Sequence, residues 1–244
     1  MKKGMTEGWE FDTRGFEIEE SSFEGRHVNI LHPKKRNGKL LLKTMYWGAF
    51  PECELDLVER GWTLAFIRNV TRWCLDEDLH LKARFVKHMA ETYGLEEKCV
   101  PVGMSCGGLI AVKFAALYPE LVHCLYLDAP VMNFLSCPAG LTGSTNIMWE
   151  EFEKAMGMTL SDLISYREHP IDKIPTLIEN RIPVICVYGD SDDVVFWHEN
   201  GAILEKAYKQ TDIPSVFIGK KGCNHHPHGL EDNSPIIEFI EKHS

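Results

Sequence analysis

Short apolar runs alternate along the chain with segments whose apolar residues recur every three or four positions. The continuous runs are typical of buried strands, whereas the wider spacing is typical of amphipathic helices. Strands that alternate with helices form βαβ units, and such units assemble into a mostly parallel sheet. The pattern therefore predicts an α/β protein. The strand-type runs are 27–32, 39–47, 62–70, 99–104, 121–130, 182–190 and 214–219, and the main helical segments are 54–60, 79–93, 107–118 and 235–242.

The alternation of strand-type and helical segments is interrupted near the start and again in the middle of the chain. Runs 27–32 and 39–47 are separated by the polar turn PKKRNG, which predicts an opening antiparallel hairpin. Segment 131–181 has no good strand, and its apolar residues lie at helical spacing. We interpret it as a cap insertion above the carboxyl ends of the strands, where open α/β sheets bind ligands. Residues 1–244 are then one domain with a single sizeable core.

Charge and cysteine usage narrow the range of partners. The formal net charge of −10 argues against nucleic acid and anionic membranes, because both require a basic surface. The eight cysteines include no CxxC pair and fit small buried side chains in a reducing compartment. We find neither a signal peptide nor a run of the roughly 18 apolar residues that a membrane span needs. These features predict a cytoplasmic protein that acts on a small molecule, and they leave its oligomeric state open.

The strongest chemical signal is Gly103-Met104-Ser105-Cys106-Gly107, a G-x-S-x-G pattern. It directly follows the apolar strand CVPV and directly opens the helical segment GLIAVKFAALY. Such a tight strand-to-helix turn needs small neighbours, and it exposes the serine hydroxyl at the amino terminus of a helix, where negative charge is stabilised. This context predicts Ser105 as a nucleophile.

The loop GKKGCNHHPHGL after the last predicted strand supplies candidate bases. In proteins with this type of strand-to-helix turn, the nucleophile comes first along the chain, then the acid and then the histidine, and the histidine lies after the last strand. The distance from Gly222 favours His225 as the base, with His226 as the alternative and as a possible substrate contact. A metal cluster that includes His228 is disfavoured by the proline between the histidines and by the lack of an acidic ligand nearby. We predict neither a metal nor a cofactor.

Three carboxylates follow the strand 182–190 and compete for the role of the acid. The spacing G-x-x-D-x-x-V selects Asp192, and a carboxylate there would orient the histidine and stabilise its charged form. Asp190 and Asp193 fit residues that shape the turn through side-chain-to-backbone hydrogen bonds. Asp128, at the end of another strand, is a further alternative.

Acyl transfer also needs donors for the negative oxygen of the intermediate. We expect the backbone N–H groups of Cys106 and of Ala49 to provide them, the latter in the loop after the strand that ends near residue 45. Tyr46, Trp47 and Phe50 in that loop are candidates for an apolar or sugar-stacking pocket wall, although each could equally be a core aromatic.

These motifs together resemble the α/β-hydrolase fold superfamily, from about residue 27 to the end of the chain. WGAFP, LDAPV and HHPHGLEDNSPIIEFI resemble a less characterised bacterial branch of predicted esterases, peptidase-like proteins and carbohydrate-active hydrolases. The resemblance implies a mostly parallel twisted sheet with helices on both faces, a small helical cap and a Ser-His-Asp triad. Cys106 stands where related elbows often carry Arg, which affects substrate contacts more than catalysis, because only the backbone N–H of that residue is needed.

The expected activity is hydrolysis of a small ester, possibly an acyl group on a carbohydrate, through an acyl-enzyme. A peptidase or amide hydrolase of the same fold is the alternative within enzymes. We prefer esters because the sequence offers no clear carboxylate cage for a substrate amine. Two further hypotheses are an inactive binding module and a metal-dependent hydrolase that uses the histidine cluster.

Overall fold

One eight-stranded sheet forms the centre of the fold. The computed structural model describes residues 9–141, 143 and 148–244. Residues 1–8, which belong to the stretch searched for a signal peptide, lie outside the described residues, as do residues 142 and 144–147 of the predicted cap. In chain order, strands β1 to β8 are Glu17–Phe23, Arg26–His32, Leu40–Lys43, Thr63–Ile67, Cys99–Met104, Leu125–Asp128, Val184–Gly189 and Ser215–Lys220.

The strands are ordered β1-β2-β4-β3-β5-β6-β7-β8 across the sheet. Strands β3 to β8 run parallel to one another, whereas β2 is antiparallel to both β1 and β4. The predicted α/β class with a mostly parallel sheet is confirmed. The predicted opening hairpin is wrong, because β2 pairs with β1 and β3 lies between β4 and β5. The sequence pattern missed β1 because its residues, EIEESSF, form a largely exposed edge strand with little apolar signal.

The described residues form eight α-helices, α1 to α8. Among the helices of the described residues, none combines the length and the apolar character that crossing a lipid bilayer requires. In chain order they are Glu52–Glu59, Asp76–Tyr93, Cys106–Leu117, Trp149–Met156, Leu160–Ser165, Ile174–Glu179, Gly201–Tyr208 and Ser234–Lys242.

The core is divided between the two faces of the sheet. Successive side chains of a strand point to opposite faces, so Leu40 and Leu42 join one apolar cluster while Leu41 joins the other. The first cluster also takes residues of α2, α3 and α6, and the second takes residues of α1 and α8. Helices therefore cover both faces, and continuous apolar runs such as CVPVGM are buried on both sides.

Segment 131–181, the predicted cap, contains α4, α5 and α6, and its described residues form no strand. It contacts the rest of the chain through aromatic rings: the ring of Phe152 lies 5.1 Å from that of Trp73, and the ring of Phe134 lies 6.5 Å from it. An ion pair joins Glu151 of α4 to Arg72 of the loop after β4, with 2.7 Å between Nε and Oε1. Its role as a cap stays a prediction.

Candidate active site

Ser105 lies in the tight turn between β5 and α3. Its backbone has φ +52° and ψ −120°, a conformation that costs a non-glycine residue about 1–3 kcal/mol and persists only where the surroundings enforce it. Small neighbours make the turn possible. A Cβ on Gly103 would lie 2.7 Å from the carbonyl oxygen of Gly107, and one on Gly108 would lie 2.4 Å from Cβ of Pro130. Gly103 and Gly108 are therefore required by close contacts of β5, α3 and the loop after β6.

The structure brings together the three side chains predicted as the triad. Nε2 of His225 lies 3.0 Å from Oγ of Ser105, and Nδ1 of His225 lies 2.7 Å from Oδ2 of Asp192. The three residues are only 6 to 8% exposed. Ser105 follows β5, Asp192 follows β7 and His225 follows β8, so the carboxyl ends of three parallel strands carry them to one edge of the sheet. This geometry allows the imidazole to take the hydroxyl proton while the carboxylate fixes its tautomer.

The second oxygen of Asp192 is also engaged. Oδ1 accepts hydrogen bonds from the backbone N–H groups of Val194 at 2.9 Å and Val195 at 2.8 Å. Burial by itself would raise the pKa of Asp192, but the hydrogen bond and charge of His225, together with the two amides, lower that pKa below its usual value of 3.8. Asp192 is therefore held ionised and oriented toward His225.

The loop that carries His225 is seated on the end of β7. A Cβ on Gly189 would lie 2.3 Å from the carbonyl oxygens of both Cys223 and Asn224, so only glycine allows this approach. Oδ1 of Asp190 accepts the N–H of Gly222 at 2.6 Å, which is the turn-shaping role expected of that residue. At the third carboxylate residue, Asp193, the backbone N–H donates to Oδ1 of Asn224 at 3.2 Å. These contacts connect the loop of the acid to the loop of the base.

The other two histidines of the loop have different surroundings. His226 lies exposed at the rim with its ring stacked 5.4 Å from that of Phe50. Partial burial of the ring, and then the electrostatic influence of His228 and His225, lower the pKa of His226 to about 4. His228 is buried, and its Nδ1 lies 2.8 Å from Oδ1 of Asp128. The structure thus pairs Asp128, the alternative acid, with His228, and it pairs His225 with Ser105.

These histidines also form the one cluster with metal-ligand spacing that the described residues contain. One ligand atom of each of His225, His226 and His228 lies within 4.8 Å of the others. The donor set fits a resident metal poorly, because both nitrogens of His225 already form the triad hydrogen bonds and Nδ1 of His228 is held by Asp128. A metal ion here would have to displace the contact between the serine and its base.

The two expected oxyanion donors differ in their surroundings. Cys106 is the first residue of α3, where backbone N–H groups have no partner within the helix. The N–H of Ala49, in contrast, donates to the carbonyl oxygen of Tyr46 at 3.0 Å and closes a turn, so it is not oriented toward Ser105 as expected.

The Tyr46 hydroxyl contacts both the Cys106 thiol and the Arg72 guanidinium, and its burial raises its pKa well above the usual value. Sequence analysis named Tyr46 only as a candidate for the pocket wall, and it did not identify Arg72 as a residue of the site.

The loop 46–51 is held in place by a buried ion pair beneath it. Nζ of Lys43 donates to the Glu54 carboxylate and, at 3.2 Å, to the carbonyl oxygen of Ala49. The two side chains are 2% and 1% exposed. Tyr46 and Phe50 in this loop have φ values of +59° and +45°, so the loop carries backbone strain close to the serine.

A cavity of about 240 Å³ opens above Ser105. Its lining includes Arg72 and Met148 besides the rings of Trp9, Tyr46, Phe50, His225, His226 and His228. The predicted wall residues Tyr46, Phe50 and His226 therefore line it. Trp47 does not: it is 5% exposed and packs in the core against Phe11 and Phe66, because its side chain points to the opposite side of the loop.

Solved structures of low sequence identity share this fold. Puromycin hydrolase matches with a TM-score of 0.69 at 15% identity, over 93% of this chain and 38% of that chain. Acylaminoacyl peptidase of Pyrococcus horikoshii matches with a TM-score of 0.69 at 12% identity, over 93% and 42%. MGS-MChE2, an α/β hydrolase from a sediment metagenome of the Mar Chica lagoon, matches with a TM-score of 0.57 at 16% identity, over 93% and 96%. The chain has the α/β-hydrolase fold.

The comparisons go no further than the fold. No protein-family model and no curated protein matches the sequence. The chain spans between 35 and 42% of the length of the first solved structures it resembles, so most of each of those proteins has no counterpart in it. At identities this low the shared fold does not carry an activity with it, and function has to be argued from the site.

Proposed function

We propose that this chain is a serine hydrolase that cleaves a small ester with Ser105, His225 and Asp192. The observation that carries the proposal is the continuous hydrogen-bonded path from the serine hydroxyl through the imidazole to the carboxylate, beside a cavity. A serine hydroxyl is a weak nucleophile until an adjacent base, oriented by a third group, activates it. The strained backbone at Ser105 supports the same role, since such strain clusters at functional sites.

In the proposed reaction, Oγ of Ser105 attacks the ester carbonyl carbon while Nε2 of His225 takes the hydroxyl proton. Asp192 accepts the Nδ1–H bond and stabilises the imidazolium that forms. The tetrahedral intermediate then breaks its C–O bond, and His225 gives its proton to the departing alcohol. A water molecule, deprotonated by His225, then attacks the acyl carbon; the bond to Oγ of Ser105 breaks, His225 returns the proton to Oγ, and the carboxylic acid is released. The sequence of steps uses no cofactor.

The negative oxygen of the intermediate needs two donors, and we assign them to the Cys106 N–H and the Tyr46 hydroxyl. The hydroxyl contacts the Cys106 thiol, which places it beside the residue that carries the first donor. Arg72 can only donate to the hydroxyl oxygen, so the phenolic proton is turned toward the Cys106 thiol in the free protein, and in the proposed complex it turns to the oxyanion. Arg72 is itself fixed by Glu151, so α4 contributes to the position of this donor.

Replacement of Tyr46 with Phe tests the assignment. Loss of one oxyanion donor typically lowers kcat by 10²–10³-fold, so we expect Tyr46→Phe to fall in that range with little change in KM. Steady-state kinetics on p-nitrophenyl butyrate measure both constants. Tyr188→Phe, which removes a hydroxyl outside the cavity, is the matched control and should keep wild-type kcat. A Tyr46→Phe enzyme within about threefold of wild type would mean that another group binds the oxyanion.

A peptide or amide substrate is the second candidate, because puromycin hydrolase and an acylaminoacyl peptidase are among the similar structures. We favour an ester, since the described residues that line the cavity include no carboxylate to bind a substrate's amino group. Parallel assays on p-nitrophenyl butyrate and on aminoacyl p-nitroanilides separate the two. Turnover confined to the anilides would replace the ester assignment with a peptidase.

Ser105 itself is tested with a fluorophosphonate probe and peptide mass spectrometry. We expect one adduct, on Ser105, and a loss of kcat of about 10⁴-fold or more in Ser105→Ala. Ser165→Ala, an exposed serine of α5, is the matched control and should label and turn over like wild type. Retained turnover in folded Ser105→Ala would refute the nucleophile. A folded wild-type protein that neither labels nor turns over would favour the binding-module alternative.

A further inference from the structure

A second buried histidine–carboxylate pair lies beside the triad. Nδ1 of His228 lies 2.8 Å from Oδ1 of Asp128, and Oδ2 of Asp128 accepts the N–H of Gly229 at 2.6 Å. His228 is 7% exposed and Asp128 is 1% exposed. In the neutral imidazole, a proton on Nδ1 is bound by the carboxylate, and Nε2 is then a hydrogen-bond acceptor.

The fold places this pair at the reacting serine. Asp128 ends β6, which lies between β5 and β7 in the sheet, and the backbone N–H of Ser105 donates to the carbonyl oxygen of Asp128 at 2.9 Å. The His228 ring lies 5.2 Å from the His225 ring, nearly perpendicular to it, and lines the cavity above Ser105. Since its Nδ1 is bound to Asp128, Nε2 is the ring nitrogen that remains for a ligand in this cavity.

Proton transfer does not need this second imidazole, because His225 already contacts both Ser105 and Asp192. What His228 adds is an acceptor of fixed orientation in a cavity walled largely by rings. A few such polar groups set the orientation and specificity of ligands in apolar pockets. An acceptor buried by the substrate costs free energy unless the substrate supplies a donor to it. The site therefore favours a substrate that carries a hydroxyl near the scissile bond.

His228 also adjoins a second cavity into which part of a substrate could extend. Phe50 and His228 line both the cavity above Ser105 and a second cavity of about 520 Å³. The Phe50 ring, 5.2 Å from that of His228, offers an apolar surface next to the acceptor. A hydroxyl acceptor beside an aromatic face suits a polyol, whose C–H and O–H groups alternate.

We propose that His228, oriented by Asp128, accepts a hydrogen bond from a hydroxyl of the departing alcohol, and that the substrates are esters of polyols rather than of simple alcohols. The proposal rests on the proposed ester hydrolysis by Ser105. His228 is a specificity residue here, since it contacts the substrate without exchanging a proton with the reacting atoms.

A pair of esters with one acyl group tests it. Glyceryl monobutyrate and propyl butyrate differ only in the two hydroxyls of the leaving alcohol. We expect wild type to prefer the glyceryl ester in kcat/KM by about 10-fold, the value of one good neutral hydrogen bond. His228→Phe should bring the ratio close to 1, and His228→Gln, which keeps an acceptor, should retain part of it. His80→Phe, an exposed histidine of α2, is the matched control and should keep the full ratio.

The ratio separates specificity from a structural role, because a merely loosened loop would slow both esters alike. An equal preference in wild type, or an unchanged ratio in His228→Phe, would overturn the proposal. If His228→Phe does not fold, Asp128→Asn weakens the control of the tautomer and should lower the ratio, and an unchanged ratio there would also overturn it. Wild type that cleaves neither ester and leaves Ser105 unlabelled by the fluorophosphonate would overturn the proposed function, and this inference with it.

Discussion

The ion pair between Lys43 and Glu54 makes a quantitative prediction about stability. Both side chains are almost completely buried, and burial raises the pKa of Glu54 while the charge of Lys43 opposes the rise. Glu54→Gln would leave the ammonium of Lys43 in the core without its counter-charge. Breaking a buried pair in this way typically costs 3–5 kcal/mol, because one charge stays desolvated and uncompensated. For a chain of this size the loss corresponds to a Tm lower by roughly 6–20 °C.

Removal of both charges should have a much smaller effect. In Lys43→Met with Glu54→Leu, side chains of similar volume replace the pair, and such replacements are often neutral or stabilising. The carbonyl oxygen of Ala49 loses its donor, which costs about 1–3 kcal/mol. We therefore expect the double variant to lie within about 3 kcal/mol of wild type, and to be much more stable than the sum of the two single losses implies.

Urea unfolding followed by tryptophan fluorescence gives the free energies of unfolding of wild type and Glu54→Gln. The same measurement is made on Lys43→Met, on Glu54→Leu and on the double variant that combines them. Asp212→Asn, which breaks the exposed pair with Arg181, is the control and should leave the urea midpoint unchanged. Two results would refute the reasoning. One is a loss of less than about 1 kcal/mol in Glu54→Gln, and the other is a double variant as unstable as the sum of its single changes.

Two further predictions concern the triad and its turn. The pKa of Asp192 is lowered in the fold, so its carboxylate stabilises the protein above the unfolded pKa, and this contribution is lost as pH falls through the folded value. The difference in urea midpoint between wild type and Asp192→Asn should therefore be widest near pH 6 and shrink below pH 3.8, whereas a constant difference would contradict the assigned cause. Gly108→Ala brings a Cβ to 2.4 Å from Pro130, whereas Gly107→Ala brings one only to 3.1 Å from Met45. Gly108→Ala should cost about 1–3 kcal/mol and lower kcat more than Gly107→Ala does; the reverse order in urea unfolding and kinetics would contradict this.

Features that depend on neighbouring residues could be predicted from the sequence. The strand Cys99–Met104 has the bounds that its apolar run indicated, and the turn at Ser105 follows from glycines within three residues of it. Asp192 and His225 were selected by spacing and by chain order, and the structure brings both to Ser105. Local constraints of this kind leave a mark in the sequence because one short segment has to satisfy them.

Features that depend on distant partners could not be predicted in the same way. Asp128 and His228 are 100 residues apart, and Arg72 and Glu151 are 79 residues apart, so no spacing connects them. The position of β3 between β4 and β5 follows from pairing in three dimensions and not from the order of the runs. In the loop 46–51, two residues have positive φ and the N–H of Ala49 closes a turn onto the carbonyl oxygen of Tyr46, a local geometry that residue spacing does not reveal.

The distance along the chain between the proposed nucleophile and its base has a consequence for biosynthesis. Ser105 and His225 are 120 residues apart, so a ribosome that adds 5–20 residues per second makes the base roughly 6–24 s after the nucleophile. His225 follows β8, which pairs with β7 in the folded chain. The growing polypeptide therefore carries an unactivated serine while these 120 residues are made, and we expect products terminated before His225 to be inert toward esters.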